Sequence, residues 1–210
     1  MSENYQATNI AMDEEELKME DSDVKAERDR VLNSKMDPSS PLIMKHLRKI
    51  YPGRGGLGPK LAVKDITLSV DKDLIFGLLG PNGSGKTTLI SCLTGLFEPS
   101  SGEAILSGYN IRTQIDMVYR KIGVCPQFDI LWEDLTVGEH LYFYARLKGV
   151  SKENEGEAVQ RSLEQVSLQD FVHRLSKGLS GGEKRRLSIA IALVGQPAVV
   201  FLDEPTVYFI

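Results

Sequence analysis

From Gly80 the chain reads Gly80-Pro81-Asn82-Gly83-Ser84-Gly85-Lys86-Thr87-Thr88, which fits G-x-x-x-x-G-K-[ST] without a mismatch. Glycines at these spacings let the backbone curl until successive N–H groups point inward at an anion, and a helix starting near Gly85 adds its positive dipole end. Lys86 is expected to reach β- and γ-phosphates, and the Thr87 hydroxyl to hold Mg²⁺. A second set of candidates ends the apolar run Ala198 to Leu202, where Asp203 and Glu204 leave a strand end together. Asp203 is placed to accept the waters of Mg²⁺, and Glu204 to point at a water attacking a γ-phosphate.

Three further positions carry weaker signals. Gln127 closes the apolar run Ile122 to Cys125 and Pro126, at the carboxyl end of a strand, where ligands of open α/β sheets bind. The bland alternative for it is an exposed loop glutamine. Ser180 and Glu183 form a capping box ahead of an apolar helix, Leu187 to Val194. A capped helix does not explain the Gly181-Gly182 pair in the first turn, which costs roughly 1 kcal/mol per residue against alanine and implies that something approaches that backbone closely. Tyr51 ends a strand before Pro52, where it could stack on a flat ligand or simply pack.

These residues need a scaffold, and the hydrophobic pattern supplies one. The run Leu74 to Leu79 reads as a buried strand feeding the phosphate loop, with a helix over Thr87 to Leu96 after it. Leu42 to Ile50 and Leu61 to Val70 read as an antiparallel hairpin around the glycine-rich turn 53–58. A short strand at Glu103 to Ser107 and a helix around Ile115 to Tyr119 follow. Residues 128–178 read as helical: Thr136 to Leu147 opens with a Thr136–Glu139 capping box, and Glu153 to Val166 is amphipathic. The run Ala198 to Leu202 has the continuous apolar character of a strand buried on both faces of a parallel sheet. The fold class is therefore α/β.

Composition narrows the rest. With 29 acidic and 25 basic residues the net charge is −4, which gives no basic footprint for nucleic acid. No apolar run is long enough to span a bilayer, since Leu187 to Leu202 is broken at Gly195-Gln196-Pro197. The start lacks the charged and apolar regions of a signal peptide, and Cys92 and Cys125 read as buried thiols of a reducing cytosol. Residues 1–40 are acidic and nearly aperiodic, which reads as a linker or tail. Within them Glu20 to Leu32 is a candidate solvated helix with an Asp21–Lys25 pair.

On these residues the chain resembles the nucleotide-binding domain of ATP-binding-cassette (ABC) transporters over about residues 42–206. The most specific match is Leu179-Ser180-Gly181-Gly182-Glu183, similar to the family signature. The resemblance implies a P-loop NTPase fold of the ABC ATPase type, with an antiparallel β subdomain and an α-helical signature subdomain at about 128–180. It makes Tyr51 the adenine-stacking aromatic, Gly80 to Thr88 the Walker A loop, and Gln127 the glutamine that senses Mg²⁺ and γ-phosphate. Asp203 and Glu204 become the Walker B magnesium aspartate and the catalytic glutamate. ATP and Mg²⁺ are the implied substrate and cofactor, and a second such domain, closing head to tail, the implied partner. Ser180, Gly181 and Gly182 would then meet ATP held by that partner's Walker A loop. Transmembrane domains of a parent transporter, on the cytoplasmic face of a membrane, are implied as well, and nucleic acid is not.

Leu131 to Leu141 and Asp23 to Arg28 look like the A subfamily, which is associated with lipid export. The pattern departs from the family after Thr206, where a further loop and a histidine contacting the γ-phosphate are expected but Val207 to Ile210 end the chain. His46, His140 and His173 all precede Walker B. The chain is thus expected to be a fragment with doubtful turnover by itself. A soluble cassette ATPase of translation or DNA maintenance, and a non-catalytic nucleotide-binding module, are the competing readings.

Overall fold

The structure is a computed structural model that describes residues 20–204, apart from 36, 38 and 54. The first half of the acidic tail, Pro205-Thr206 and the last four residues therefore lie outside it. The chain divides into two compact units, Met1–Ile115 and Asp116–Ile210.

In the first unit a helix α1 (Ser22–Leu32) precedes strands β1 (Leu42–Tyr51) and β2 (Lys60–Val70), then helix α2 (Lys86–Leu93) and strands β3 (Ser101–Leu106) and β4 (Tyr109–Asn110). The expected hairpin forms: β1 and β2 are antiparallel, in register from Leu42 opposite Val70 to Tyr51 opposite Lys60. Strand β3 pairs antiparallel with the other edge of β1, and the order is β2-β1-β3-β4. Leu42, Ile43 and Met44 are buried in succession along β1, and Leu47 is buried beyond an irregularity in the register; Ala104 and Leu106 of β3 and Leu89, Cys92 and Leu93 of α2 are buried as well.

Helix α1 is anchored and not merely solvated. Val31 is fully buried, Arg30 donates to Ser69 O, and Glu27 accepts from the Ser69 amide. Its ion pairs join Glu27 to Arg30, Glu20 to Arg28 and Arg30 to Asp71; Asp21 and Lys25 are linked by the helical backbone bond from Lys25 N to Asp21 O. The Arg30 guanidinium beside it holds the Glu27 carboxyl below its ordinary range.

The second unit is helical around a two-stranded parallel sheet. Helix α3 (Ile115–Tyr119) leads into β5 (Ile122–Cys125); helices α4 (Val137–Leu147), α5 (Glu155–Gln165) and α6 (Gly181–Leu193) follow, and β6 (Val199–Leu202) closes it. Strands β5 and β6 run parallel from Ile122 opposite Val199 to Cys125 opposite Leu202. The three helices share one core of Val137, Leu141, Val159, Leu163, Leu179 and Leu187, among others. Helix α6 lies directly on β5 at Gly123, where a Cβ would stand 2.0 Å from Ala192 O. Any side chain there would push the helix off the strand.

Two expectations need correction. No strand forms over Leu74 to Leu79 among the described residues, and the run is exposed: Leu74 by 65%, Ile75 fully and Leu79 by 92%. An apolar run reports an affinity for burial; the neighbouring strands that would supply it are a separate, non-local requirement. Strand β6 is likewise only half-buried, and Leu202 is exposed, instead of being covered on both faces. Smaller shifts concern boundaries: α2 ends at Leu93 and not Leu96, and α6 begins at Gly181, six residues before the apolar run.

Candidate functional site

The phosphate loop belongs to the first unit, and its shape follows from its glycines. Gly83 (φ +82°) and Gly85 (φ +98°) adopt left-handed backbone, and Gly85 is the N-cap of α2. A Cβ on Gly85 would also lie 2.3 Å from Ala62 O of β2, so the loop rests on the hairpin. Lys86, the first helical residue, donates from Nζ to Gly80 O at 2.7 Å and Pro81 O at 3.1 Å. Its ammonium thus spans the loop that a polyphosphate would enter. Ser84 N donates to Pro81 O, while Asn82 and Thr87 are exposed. A cleft of about 500 Å³ opens between this loop and β2, lined by Val63, Ile66, Gly80, Pro81 and Lys86.

Tyr51 stands in the same unit at the end of β1. Its hydroxyl meets Thr88 Oγ1 at 3.5 Å, the outer limit of a hydrogen bond. Phe97 presents its edge to the ring at 5.8 Å, and the Lys49 ammonium lies 5.3 Å from the ring centroid. Lys49 lies 5.7 Å from the Phe97 ring as well, so the three side chains form one cluster, which allows both the stacking and the packing reading.

Gln127, Asp203, Glu204 and the signature residues belong to the second unit. Strands β5 and β6 end side by side, and the Asp203 amide donates to Cys125 O at 2.9 Å, the last bond of that ladder. Parallel pairing thus brings Gln127 and the two carboxylates to one end of one sheet. Gln127 and Glu204 are exposed and Asp203 is half-buried. Glu204 has φ +48°, a left-handed conformation uncommon outside glycine that costs of order 1–3 kcal/mol and concentrates at functional sites.

What the sequence did not single out is the group that holds this end together. Arg185 of α6 is fully buried. It donates from Nη1 to Pro126 O at 2.6 Å and to Asp129 Oδ1 at 3.2 Å, and from Nη2 to Asp203 O at 2.9 Å and Glu204 O at 3.1 Å. A signal was present: Arg185, Ser188 and Ala192 recur at spacings of three and four, so the arginine lies on a buried stripe of α6. Burial pushes the neighbouring Cys125 thiol up, with the Arg185 charge acting against it, so this cysteine stays an inert thiol.

The signature residues start α6 as the sequence predicts. Ser180 is the N-cap; its Oγ accepts from Glu183 N at 3.3 Å, and Glu183 Oε2 accepts from Ser180 N at 2.7 Å. The bond from the Ser180 amide holds the Glu183 carboxyl below its ordinary range. Gly181 and Gly182 supply first-turn amides, which precede the helix's own hydrogen-bond ladder and face outward along its axis. Arg186 ties the same helix to the end of α5 through Val166 O and Ser167 O. The second capping box, Thr136 with Glu139, forms as well.

The donor chemistry fits Mg²⁺. Thr87 in the first unit, and Gln127 and Asp203 in the second, each carry a side-chain oxygen, the hard ligand type which that ion takes. Among the described residues no cluster of three or more His, Cys, Asp or Glu side chains would hold a metal by itself.

A family profile described as ABC transporter matches residues 63–207. The chain belongs to the ABC transporter family. It is 47% identical over 203 residues to ABC transporter A family member 7 of Dictyostelium discoideum, a match covering 96% of this chain and 24% of that protein. It is 47% identical over 194 residues to ABC transporter A family member 12 of Arabidopsis thaliana, covering 90% and 21%. The chain thus spans about a quarter of the length of these curated relatives or less.

Among solved structures, the ATP-binding subunit of an ABC transporter superposes with a TM-score of 0.70 at 28% identity, covering 80% of this chain and 68% of that one. A dimeric ATP-binding cassette in a post-hydrolysis state, bound to ADP and Pi, superposes with a TM-score of 0.70 at 26% identity, covering 79% and 75%. The fold class is that of the ABC ATPase domains, and the A-subfamily resemblance seen in Leu131 to Leu141 agrees with the relatives. No helix among the described residues of this ABC transporter chain is long and apolar enough to cross a membrane.

Proposed function

We propose that this chain is the ATP-hydrolysing nucleotide-binding domain of an A-subfamily ABC transporter, and that it drives lipid export from the cytoplasmic face of a membrane. The observation that carries the reading is the phosphate loop: left-handed Gly83 and Gly85 place Lys86 at the start of α2, across the mouth of the loop. In this reading the domain extends over 42–206, with residues 1–40 as a linker and 128–180 as the signature subdomain.

Each residue then has a task set by its chemistry. Tyr51 stacks on the adenine. The amides of Gly80 to Thr88 cradle the phosphates, and Lys86 exchanges Gly80 O and Pro81 O for β- and γ-phosphate oxygens. Thr87, Gln127 and Asp203 supply the oxygens for Mg²⁺, which when bound neutralises developing phosphate charge. Glu204 takes the proton of the attacking water, a role that needs an exposed carboxylate. Ser180, Gly181 and Gly182 present free amides and a helix dipole to the γ-phosphate of ATP on a second cassette. The partners are that cassette and the transmembrane domains of the whole transporter.

The test is Glu204→Gln in the full-length protein. The amide keeps the shape but takes no proton, so ATP binding should stay within about threefold while hydrolysis falls by about 10²–10⁴-fold. Unchanged steady-state hydrolysis would remove Glu204 from this role.

A further inference from the structure

We infer that Arg185 is a positioning residue for ATP hydrolysis: its buried guanidinium locks the Pro126 carbonyl and the Asp129 carboxylate, on either side of Gln127, to the backbone of Asp203 and Glu204, and ties both to the signature helix. The inference rests on the ATPase reading above for its kinetic consequence, though not for its geometry.

The geometry begins where the β5–β6 ladder stops. Beyond the bond from Asp203 N to Cys125 O, the two segments leaving the sheet carry the residues proposed for chemistry, and the strand pairing has ended. Arg185 takes over at that point. One of its terminal nitrogens binds the segment after β5, through Pro126 O and Asp129 Oδ1, and the other binds the segment after β6, through Asp203 O and Glu204 O. A planar guanidinium holds its two nitrogens at fixed separation, so the two segments are set at a fixed spacing, which no flexible ammonium could impose.

Two costs argue that this arrangement has a use. A fully buried arginine is tolerated only when paired and hydrogen-bonded, and Asp129, itself largely buried, provides the counter-charge. Glu204 meanwhile keeps a left-handed backbone, and the bond from Arg185 to its carbonyl is one contact that holds it there. The same arginine lies five residues after Ser180 on one rigid helix. A displacement of the signature helix is therefore passed directly to the Pro126, Asp203 and Glu204 carbonyls and to the Asp129 carboxylate.

The test compares Arg185→Lys and Arg185→Gln with the wild-type full-length protein. It uses melting temperature, ATP affinity, kcat and peptide-resolved hydrogen exchange without nucleotide. Lysine keeps the charge and the stem but not the fork. At least one variant should melt within about 5 °C of wild type and bind ATP within about threefold, yet lose kcat at least about tenfold. In that variant exchange should speed up in 125–129 and 199–204 while 80–93 is unchanged. Variants with kcat and exchange at wild-type values would overturn the proposal. So would parallel loss of melting temperature, affinity and rate in both variants, which would give Arg185 a general structural role. Should the wild type itself not hydrolyse ATP, the functional reading fails, and the exchange pattern alone then decides whether Arg185 positions these segments.

Discussion

Gly85 shows how much of the site is set by single residues. Its φ of +98° is open to glycine, and its missing side chain leaves room for Ala62 O, whereas Gly83 has a similar φ of +82° with nothing within 4 Å. Gly83→Ala should therefore cost only the backbone penalty, about 1 kcal/mol, while Gly85→Ala adds a clash with backbone and should cost at least about 2 kcal/mol. Urea unfolding of both variants measures the difference, and equal midpoints would show that the loop does not rest on β2. Such positions are legible in a sequence because the phosphate motif is local: Gly80 to Thr88 are contiguous, and the glycines announce their own conformation. Arg185 was not legible for the opposite reason. Its partners lie 56 to 59 residues before it and 18 to 19 after it, and an arginine in Glu183-Lys184-Arg185-Arg186 reads as solvated surface.

At the scale of the element, the signature helix depends on its cap. The Ser180 hydroxyl satisfies the Glu183 amide, so Ser180→Ala should lower stability by about 1 kcal/mol, measured by chemical denaturation near pH 7. Glu183 adds a pH dependence. Its folded carboxyl is held below its ordinary value of 4.5, chiefly by the Ser180 amide, so its contribution is complete above that value and fades as pH falls through the lower, folded one. A stability gap between wild type and Glu183→Ala that stays constant from pH 7 down to strong acid would contradict this. Both capping boxes and the β1–β2 hairpin were readable because caps and turns are written in neighbouring residues. Strand Leu74 to Leu79 and the docking of α1 were misjudged because each depends on a distant surface: the first finds no strand partner among the described residues, and the second buries Val31 through contacts with β2 some forty residues away.

Across the whole molecule, the apolar surface of Leu74 to Leu79 stands uncovered, and each large side chain left in water forgoes roughly 1.5–3 kcal/mol of burial. Against the roughly 5–15 kcal/mol that holds a domain together, this is a substantial loss. The fold class was nevertheless readable, because the phosphate motif, the signature and the acidic strand end occur together in one chain and each restricts the others. The central claim is that the chain binds ATP through Lys86 and its loop with Mg²⁺, and one measurement tests it most directly. Binding of a labelled ATP analogue to the full-length protein, with and without Mg²⁺, should be saturable and Mg²⁺-dependent in the wild type. It should be weakened at least about tenfold in Lys86→Ala, since a charge-assisted bond to phosphate is worth about 1.5–3 kcal/mol. Equal binding by wild type and Lys86→Ala would contradict the account.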